Sequence, residues 1–64
     1  MYSKLRGRIY EKFGSLSAFA AAMGKSVSAI SSKLSGRCEW TRSDIELAVK
    51  LLDIPVSEIP VYFF

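Results

Sequence analysis

The stretch AAAMGKSVSAISSKLSG, residues 20–36, consists mostly of alanine, serine and glycine, and it decides how the rest of the chain is interpreted. Gly24 suits the left-handed residue that ends a helix, and Ser26 is a typical N-cap for the next helix. Apolar residues recur at helical spacing around this turn, including Ile30 and Leu34 after it. The stretch therefore predicts two helices about three residues apart, a helix-turn-helix over residues 16–35.

The flanking sequence predicts further short helices, because hairpin signals are missing and strand-like alternation is absent before the last few residues. Serine, threonine, glycine and proline mark where these helices begin and end. We predict helices over residues 4–13 (capped by Ser3), 16–23 (capped by Ser15) and 27–35 (capped by Ser26), a fourth ending near residue 52 (capped by Thr41 or Ser43), a fifth over 55–59, and then an extended aromatic tail, VYFF.

Each predicted helix carries an apolar face that can bury itself against the others. Ala20 is expected to be small because the two helices of the motif cross closely there. Trp40 is expected to plug the core from the loop before the fourth helix. The other expected core residues are Leu5, Ile9, Phe13, Leu16, Phe19, Met23, Ile30, Leu34, Ile45, Ala48, Val49 and Leu52.

The composition argues against several classes of protein. A length of 64 residues suffices for one domain, which we expect to cover residues 1–64. One cysteine, Cys38, and no histidine leave no internal disulfide, no zinc ligand set and no catalytic arrangement, so we expect neither an enzyme nor a cofactor. No apolar run approaches the roughly 20 residues that span a bilayer, and no signal-peptide pattern is visible, so we expect no membrane contact.

The charge is distributed unevenly along the chain. Residues 1–42 hold eight of the nine basic groups and two of the six acidic groups, whereas residues 43–64 are net acidic. A basic segment joined to an acidic end indicates one surface for a polyanion such as nucleic acid. The alternative is an ordinary solvated surface.

The order of these motifs resembles the phage repressor and Cro-like helix-turn-helix proteins of the Xre type, over roughly residues 5–59. The residues that carry the resemblance are Phe19 and Ala20 in the second helix, Met23 and Gly24 at the turn, Ser26 as the cap, Ile30 in the third helix and Gly36 after it. Residues 44–59, DIELAVKLLDIPVSEI, are similar to the family's fourth and fifth helices, and EIPVYFF at the end resembles a subgroup of small phage-encoded members.

The resemblance implies an all-α, compact five-helix lambda-repressor-like domain that ends in a short aromatic tail. Two lysines depart from the family pattern. The residue after the turn glycine is usually apolar and is Lys25 here, and Lys33 stands where the family often has an apolar group.

The resemblance also implies a double-stranded DNA interface centred on the third helix. Val27, Ser28, Ser31 and Ser32 take the base-facing places, although none of them offers a bidentate base contact, so direct readout should be modest. The expected phosphate contacts are Ser15, Ser17, Lys25, Ser26, Arg37 and Arg42, with Arg6, Arg8 and Lys12 adding to the positive field. The alternative is that the serines and the long basic side chains form a solvated face.

The C-terminal segment is the most apolar part of the chain and has two possible roles. It either forms a two-fold dimer interface or folds back to close the core against the first helix. The residues concerned are Ile59, Val61, Tyr62, Phe63 and Phe64.

The leading hypothesis is a sequence-specific transcriptional regulator, a Cro-like phage or prophage repressor in the bacterial cytoplasm that binds a palindromic operator as a dimer. No small-molecule ligand is expected. The alternative is a protein-interaction module, an antirepressor or adaptor, that uses the same fold through its apolar tail. DNA binding through several phosphates would weaken steeply with salt, whereas binding to a protein partner need not.

Overall fold

The computed structural model describes residues 2–64, and these form five α-helices and one short 3-10 helix without any strand. The prediction of an all-α, five-helix fold is confirmed. The elements are α1 (Ser3–Phe13), α2 (Leu16–Met23), α3 (Val27–Leu34), α4 (Arg42–Leu52), a 3-10 helix (Val56–Glu58) and α5 (Ile59–Phe63). No helix within this described range is both long enough and apolar enough to cross a membrane.

The turn between α2 and α3 has the geometry that its sequence predicts. Gly24 adopts a left-handed conformation with φ of 70°, in which a residue with an L side chain would be strained. The backbone N–H of Lys25 donates to the carbonyl of Ala20 at 3.0 Å, which closes the end of α2. The Ser26 hydroxyl then accepts from the Ala29 N–H at 3.1 Å and caps α3.

Of the N-caps predicted for the other helices, two are correct and one is wrong. Ser15 caps α2, and of the two caps considered for α4 the structure has Thr41, whose side chain and Asp44 form a reciprocal capping box. Ser3 is instead the first residue of α1, and Tyr2 precedes the helix in a left-handed conformation. The Tyr2 ring packs edge-on against Trp40, with ring centres 6.3 Å apart. Local capping rules cannot predict such a tertiary contact.

The core forms where the apolar faces of α1, α2, α3 and α4 meet. Ala20 is almost fully buried, as expected of a close contact between helices, and Trp40 lies half-buried as a plug. Four expected core residues are only partly buried and pack at its edge: Phe13, Leu16, Ile45 and Val49. The remaining expected residues are buried, namely Leu5, Ile9, Phe19, Met23, Ile30, Leu34, Ala48 and Leu52.

The C-terminal segment differs from the prediction of a helix over residues 55–59 and an extended tail. A 3-10 turn comes first, and the helix α5 follows over Ile59–Phe63. Ile59 and Phe63 lie four residues apart, so a helical conformation turns both side chains toward the core, where Phe63 is only 4% exposed. Burial of this ring, which lies edge-on to Trp40 at 5.2 Å, favours the helix over the extended tail.

Candidate nucleic-acid interface

The helix α3 exposes one face and buries the other. Ile30 and Leu34 are buried, whereas Val27, Ser28 and Ser31 are exposed. The exposed side chains are short, so a groove wall can approach the helix backbone closely. Three of the four predicted base-facing residues therefore share an accessible surface.

Ser32, the fourth predicted base-facing residue, lies at the margin of this surface and is half-buried. Its carbonyl accepts from the backbone N–H groups of Arg37 at 2.9 Å and Cys38 at 3.2 Å, and from the Ser35 hydroxyl at 3.1 Å. These bonds fold the loop after α3 back onto the end of the helix. Ser32 thus has a role in ending α3 that its sequence position did not suggest.

The predicted phosphate-binding serines lie at the N-termini of α2 and α3. Ser15 and Ser26 use their hydroxyl oxygens as acceptors for the caps, which leaves each O–H group able to donate to an anion. Ser17 is exposed in the first turn of α2, where backbone N–H groups have no helical partner. Anions are favoured at such helix ends.

The three predicted phosphate-binding cations differ in their surroundings. Arg37 is exposed in the loop after α3, and no ion pair involves it within residues 2–64. Arg42 is almost fully exposed and pairs with Glu46 one turn along α4 at 3.1 Å, a contact that contributes little in water. Lys25 instead lies 3.6 Å from a carboxylate oxygen of Asp44.

Asp44 is the buried charged residue that the sequence interpretation missed, and it is only 7% exposed. Burial alone would raise its pKa, but hydrogen bonds from Lys33 and Thr41 and the charge of Lys33 outweigh burial and lower the pKa from 3.8 to about 2. The carboxylate is therefore ionised at neutral pH. Its role in the Thr41 capping box was visible in the sequence, but its pairing with lysines was not.

Lys33 is the main partner of Asp44 and is itself largely buried. Its ammonium lies 2.9 Å from Asp44 Oδ2 and donates to the Glu39 carbonyl at 3.2 Å. The same ammonium lies 6.0 Å from the centre of the Trp40 ring, within range of a cation–π contact. A long side chain at the inner edge of α3 thus joins this helix to the following loop and to α4.

Two basic residues of α1 are engaged at the opposite end of α4. Arg8 pairs with Glu11, and its Nε donates to the Leu52 carbonyl at 2.9 Å, which satisfies a backbone group at the end of the helix. Lys12 lies 2.8 Å from Asp53, and this hydrogen bond lowers the pKa of the exposed carboxyl. Part of the positive charge counted in the sequence therefore stabilises contacts within the protein.

The predicted dimer residues do not form one exposed surface. Phe63 is buried and Ile59 and Tyr62 are half-buried, so the segment closes the core against α1. Val61 and Phe64 remain accessible, at 50% and 90% exposure, beside a groove at the start of α1. Only these two side chains of the set are largely available to a second molecule.

No group of three or more potential metal ligands comes together among the described residues, and Cys38 is exposed as a free thiol.

The curated proteins contain no match to this sequence. One family matches over residues 1–64, and its description is "Protein of unknown function (DUF739)". The match covers the whole chain, and the protein therefore belongs to the DUF739 family.

Proposed function

We propose that this chain is a sequence-specific DNA-binding regulator that inserts α3 into the major groove of double-stranded DNA. The observation that carries the proposal is the combination of a three-residue turn between α2 and α3 with an outer face of α3 that bears only short side chains. Two helices joined this tightly present the second one as a ridge, and a ridge of serine and valine fits a groove without steric conflict.

The charges around α3 support the same proposal. Lys25 precedes the helix, and Arg37 and Arg42 follow it, so exposed cations come before and after α3 in the sequence. Phosphates on either side of a groove are the natural partners of such an arrangement. With three candidate cations per protomer, the logarithm of the binding constant should fall with the logarithm of salt concentration with a slope of about −3 per protomer.

The base contacts that α3 offers are individually weak, so a second protomer would add affinity and sequence selectivity. Two copies related by a two-fold axis would place two α3 helices about 34 Å apart on a palindromic operator. Val61 on α5 and Phe64 directly after it are the accessible apolar groups that a second copy would meet. Such a protein would act as a Cro-like phage repressor in the bacterial cytoplasm by occupying DNA near a promoter.

A binding-site selection on random duplex DNA, repeated at two salt concentrations, tests the proposal. Enrichment of a palindrome with steep salt dependence is expected, and recovery of no enriched sequence would count decisively against it. Arg37→Ala should weaken binding to all sequences alike, whereas Ser28→Ala and Val27→Ala should change the preferred bases. If all three variants behave the same way, the division between phosphate and base contacts is wrong.

A protein-interaction module is the second candidate, favoured by the exposure of Val61 on α5 and of Phe64 directly after it. Binding to a protein partner through these side chains would depend little on salt and would be lost in a Val61→Ser/Phe64→Ser variant. DNA binding at low salt, measured on the unaltered protein, separates the two candidates. Affinity for DNA favours the regulator, and absence of DNA affinity favours the module.

A further inference from the structure

One buried carboxylate, that of Asp44 at the start of α4, faces ammonium groups from both ends of α3. Lys33, in the last turn of α3, lies 2.9 Å from Oδ2. Lys25, which immediately precedes the N-cap of α3, lies 3.6 Å from Oδ1. Because each ammonium uses a different oxygen, a single side chain of α4 holds α3 at two points that are eight residues apart in sequence.

The rest of the packing around α3 is one-sided. Within residues 2–64, the backbone of α3 packs mainly against α2, and α4 packs mainly against α1 and α2. The side chains of Lys33 and Asp44 are 12% and 9% exposed, so their pairing is shielded from solvent and depends on geometry. A buried ion pair costs desolvation that apolar side chains would not incur, and it restricts the helix to arrangements in which the charges meet.

We propose that Asp44, Lys25 and Lys33 form a positioning triad that sets the orientation of α3 for reading DNA. The proposal rests on the proposed function. Lys25 is partly exposed, at 37%, and lies next to the helix N-terminus, so it can contact a phosphate while Asp44 keeps its closer contact with Lys33. The triad then controls discrimination between sequences, whereas the net charge of the surface controls affinity that is independent of sequence.

The main test uses the double variant Lys33→Met/Asp44→Asn, which keeps the net charge and leaves neither member of the buried pair ionised. Asparagine retains an oxygen for the Thr41 cap, and methionine retains an unbranched side chain beside Trp40. The matched control is Lys12→Met/Asp53→Asn, which removes an exposed ion pair without changing net charge. Asparagine also tolerates the left-handed conformation of residue 53, where φ is 53°.

Affinity is measured for the duplex most enriched by the unaltered protein and for a shuffled duplex of the same composition. For Lys33→Met/Asp44→Asn we expect the ratio of the two affinities to fall about tenfold, comparable to losing one base contact, with affinity for the shuffled duplex within about twofold of the original. The control should keep the ratio within about twofold. An unchanged ratio in the first variant would overturn the proposal.

Amide hydrogen exchange without DNA provides a readout that does not depend on the proposed function. Exchange in α3 should become faster in Lys33→Met/Asp44→Asn while exchange in α1 changes little. Equal loosening of all helices would indicate a general structural role and refute the positioning role. If the unaltered protein prefers no duplex, the proposed function fails, and faster exchange confined to α3 would still support the bracing by Asp44.

Lys25→Met covers the case in which the double variant does not fold, because it leaves the buried Lys33–Asp44 pair intact. Loss of a phosphate contact alone would weaken both duplexes equally. Loss of positioning should also lower the ratio of the two affinities, by about threefold if the outer contact contributes less than the buried one. An unchanged ratio in this variant, together with an unfolded double variant, would refute the triad.

Discussion

Phe63 should be among the side chains that contribute most to stability, although it is the penultimate residue of the chain. It is 4% exposed and lies edge-on to Trp40, with ring centres 5.2 Å apart and an interplanar angle of 78°. Truncation of a buried phenylalanine to alanine costs about 3–5 kcal/mol. A domain of this length has a total stability of about 3–10 kcal/mol, so Phe63→Ala should remove a large fraction of that stability.

Phe63→Leu is the more informative perturbation, because the variant should still fold. Replacing the ring by leucine keeps most of the buried volume but loses the edge-to-face contact, for an expected cost of about 1–3 kcal/mol. Phe64→Ala is the matched control, since Phe64 is 90% exposed and its removal should change the free energy of unfolding by less than about 0.5 kcal/mol.

Urea unfolding followed by far-UV circular dichroism measures both variants, at two protein concentrations tenfold apart. If α5 closes the core of a monomer, the midpoint does not depend on concentration and Phe63→Leu is the more destabilising variant. Equal effects of the two variants would show that the packing of Phe63 is not the source of stability. A larger effect of Phe64→Ala that grows as the protein is diluted would place the C-terminal segment in an obligate dimer.

Four further predictions concern the buried carboxylate, the turn and α1. The pKa of Asp44 is lowered from 3.8 to about 2, so the ionised carboxylate stabilises the folded protein fully above pH 3.8, and this stabilisation is lost as the pH falls toward 2. Urea unfolding measured across this pH range should show that the free energy of unfolding falls by about 2 kcal/mol. This fall should be absent from Asp44→Asn. Gly24→Ala should destabilise the protein by about 1–2 kcal/mol because φ is 70° at this position. Gly7 lies inside α1 with open space around it, so Gly7→Ala should stabilise the protein by about 0.5–1 kcal/mol. Thermal unfolding measures both changes. Arg8→Met keeps the aliphatic stem but loses the hydrogen bond to the Leu52 carbonyl, and urea unfolding should show a loss of about 1 kcal/mol.

Local sequence signals predicted the first four helices well because their ends are encoded by side chains close in sequence. Ser15, Ser26 and Thr41 each accept from a backbone N–H three residues later, so the sequence within one turn determines the cap. The errors lie where distant contacts decide the conformation. At the start of α1, Tyr2 is fixed by Trp40, and at the C-terminus Phe63 is drawn into the core.

The charged part of the candidate interface shows the same division between local and distant contacts. Lys25 and Lys33 departed from the family pattern as separate anomalies, and nothing in the sequence near either residue supplied a counter-ion. The structure joins both to Asp44, which lies 11 residues beyond Lys33. The sequence signal that could have predicted this ion pair is the position of Lys33, one residue before the inward-facing Leu34. A cation at the edge of a core requires a nearby carboxylate.

Five of the eight basic residues in the range 1–42 therefore fall into two groups with different uses. Arg8, Lys12 and Lys33 make short contacts with carboxylates or backbone carbonyls and hold α1, α3 and α4 together. Arg37 and Arg42, which follow α3 in the sequence, are exposed to solvent, where a polyanion can reach them. A count of basic residues consequently overestimates how many phosphates the protein would neutralise, and the three candidate contacts of each protomer give an expected slope of about −3. The discriminating quantity is the change in slope on Arg37→Ala, which should be about one phosphate per protomer.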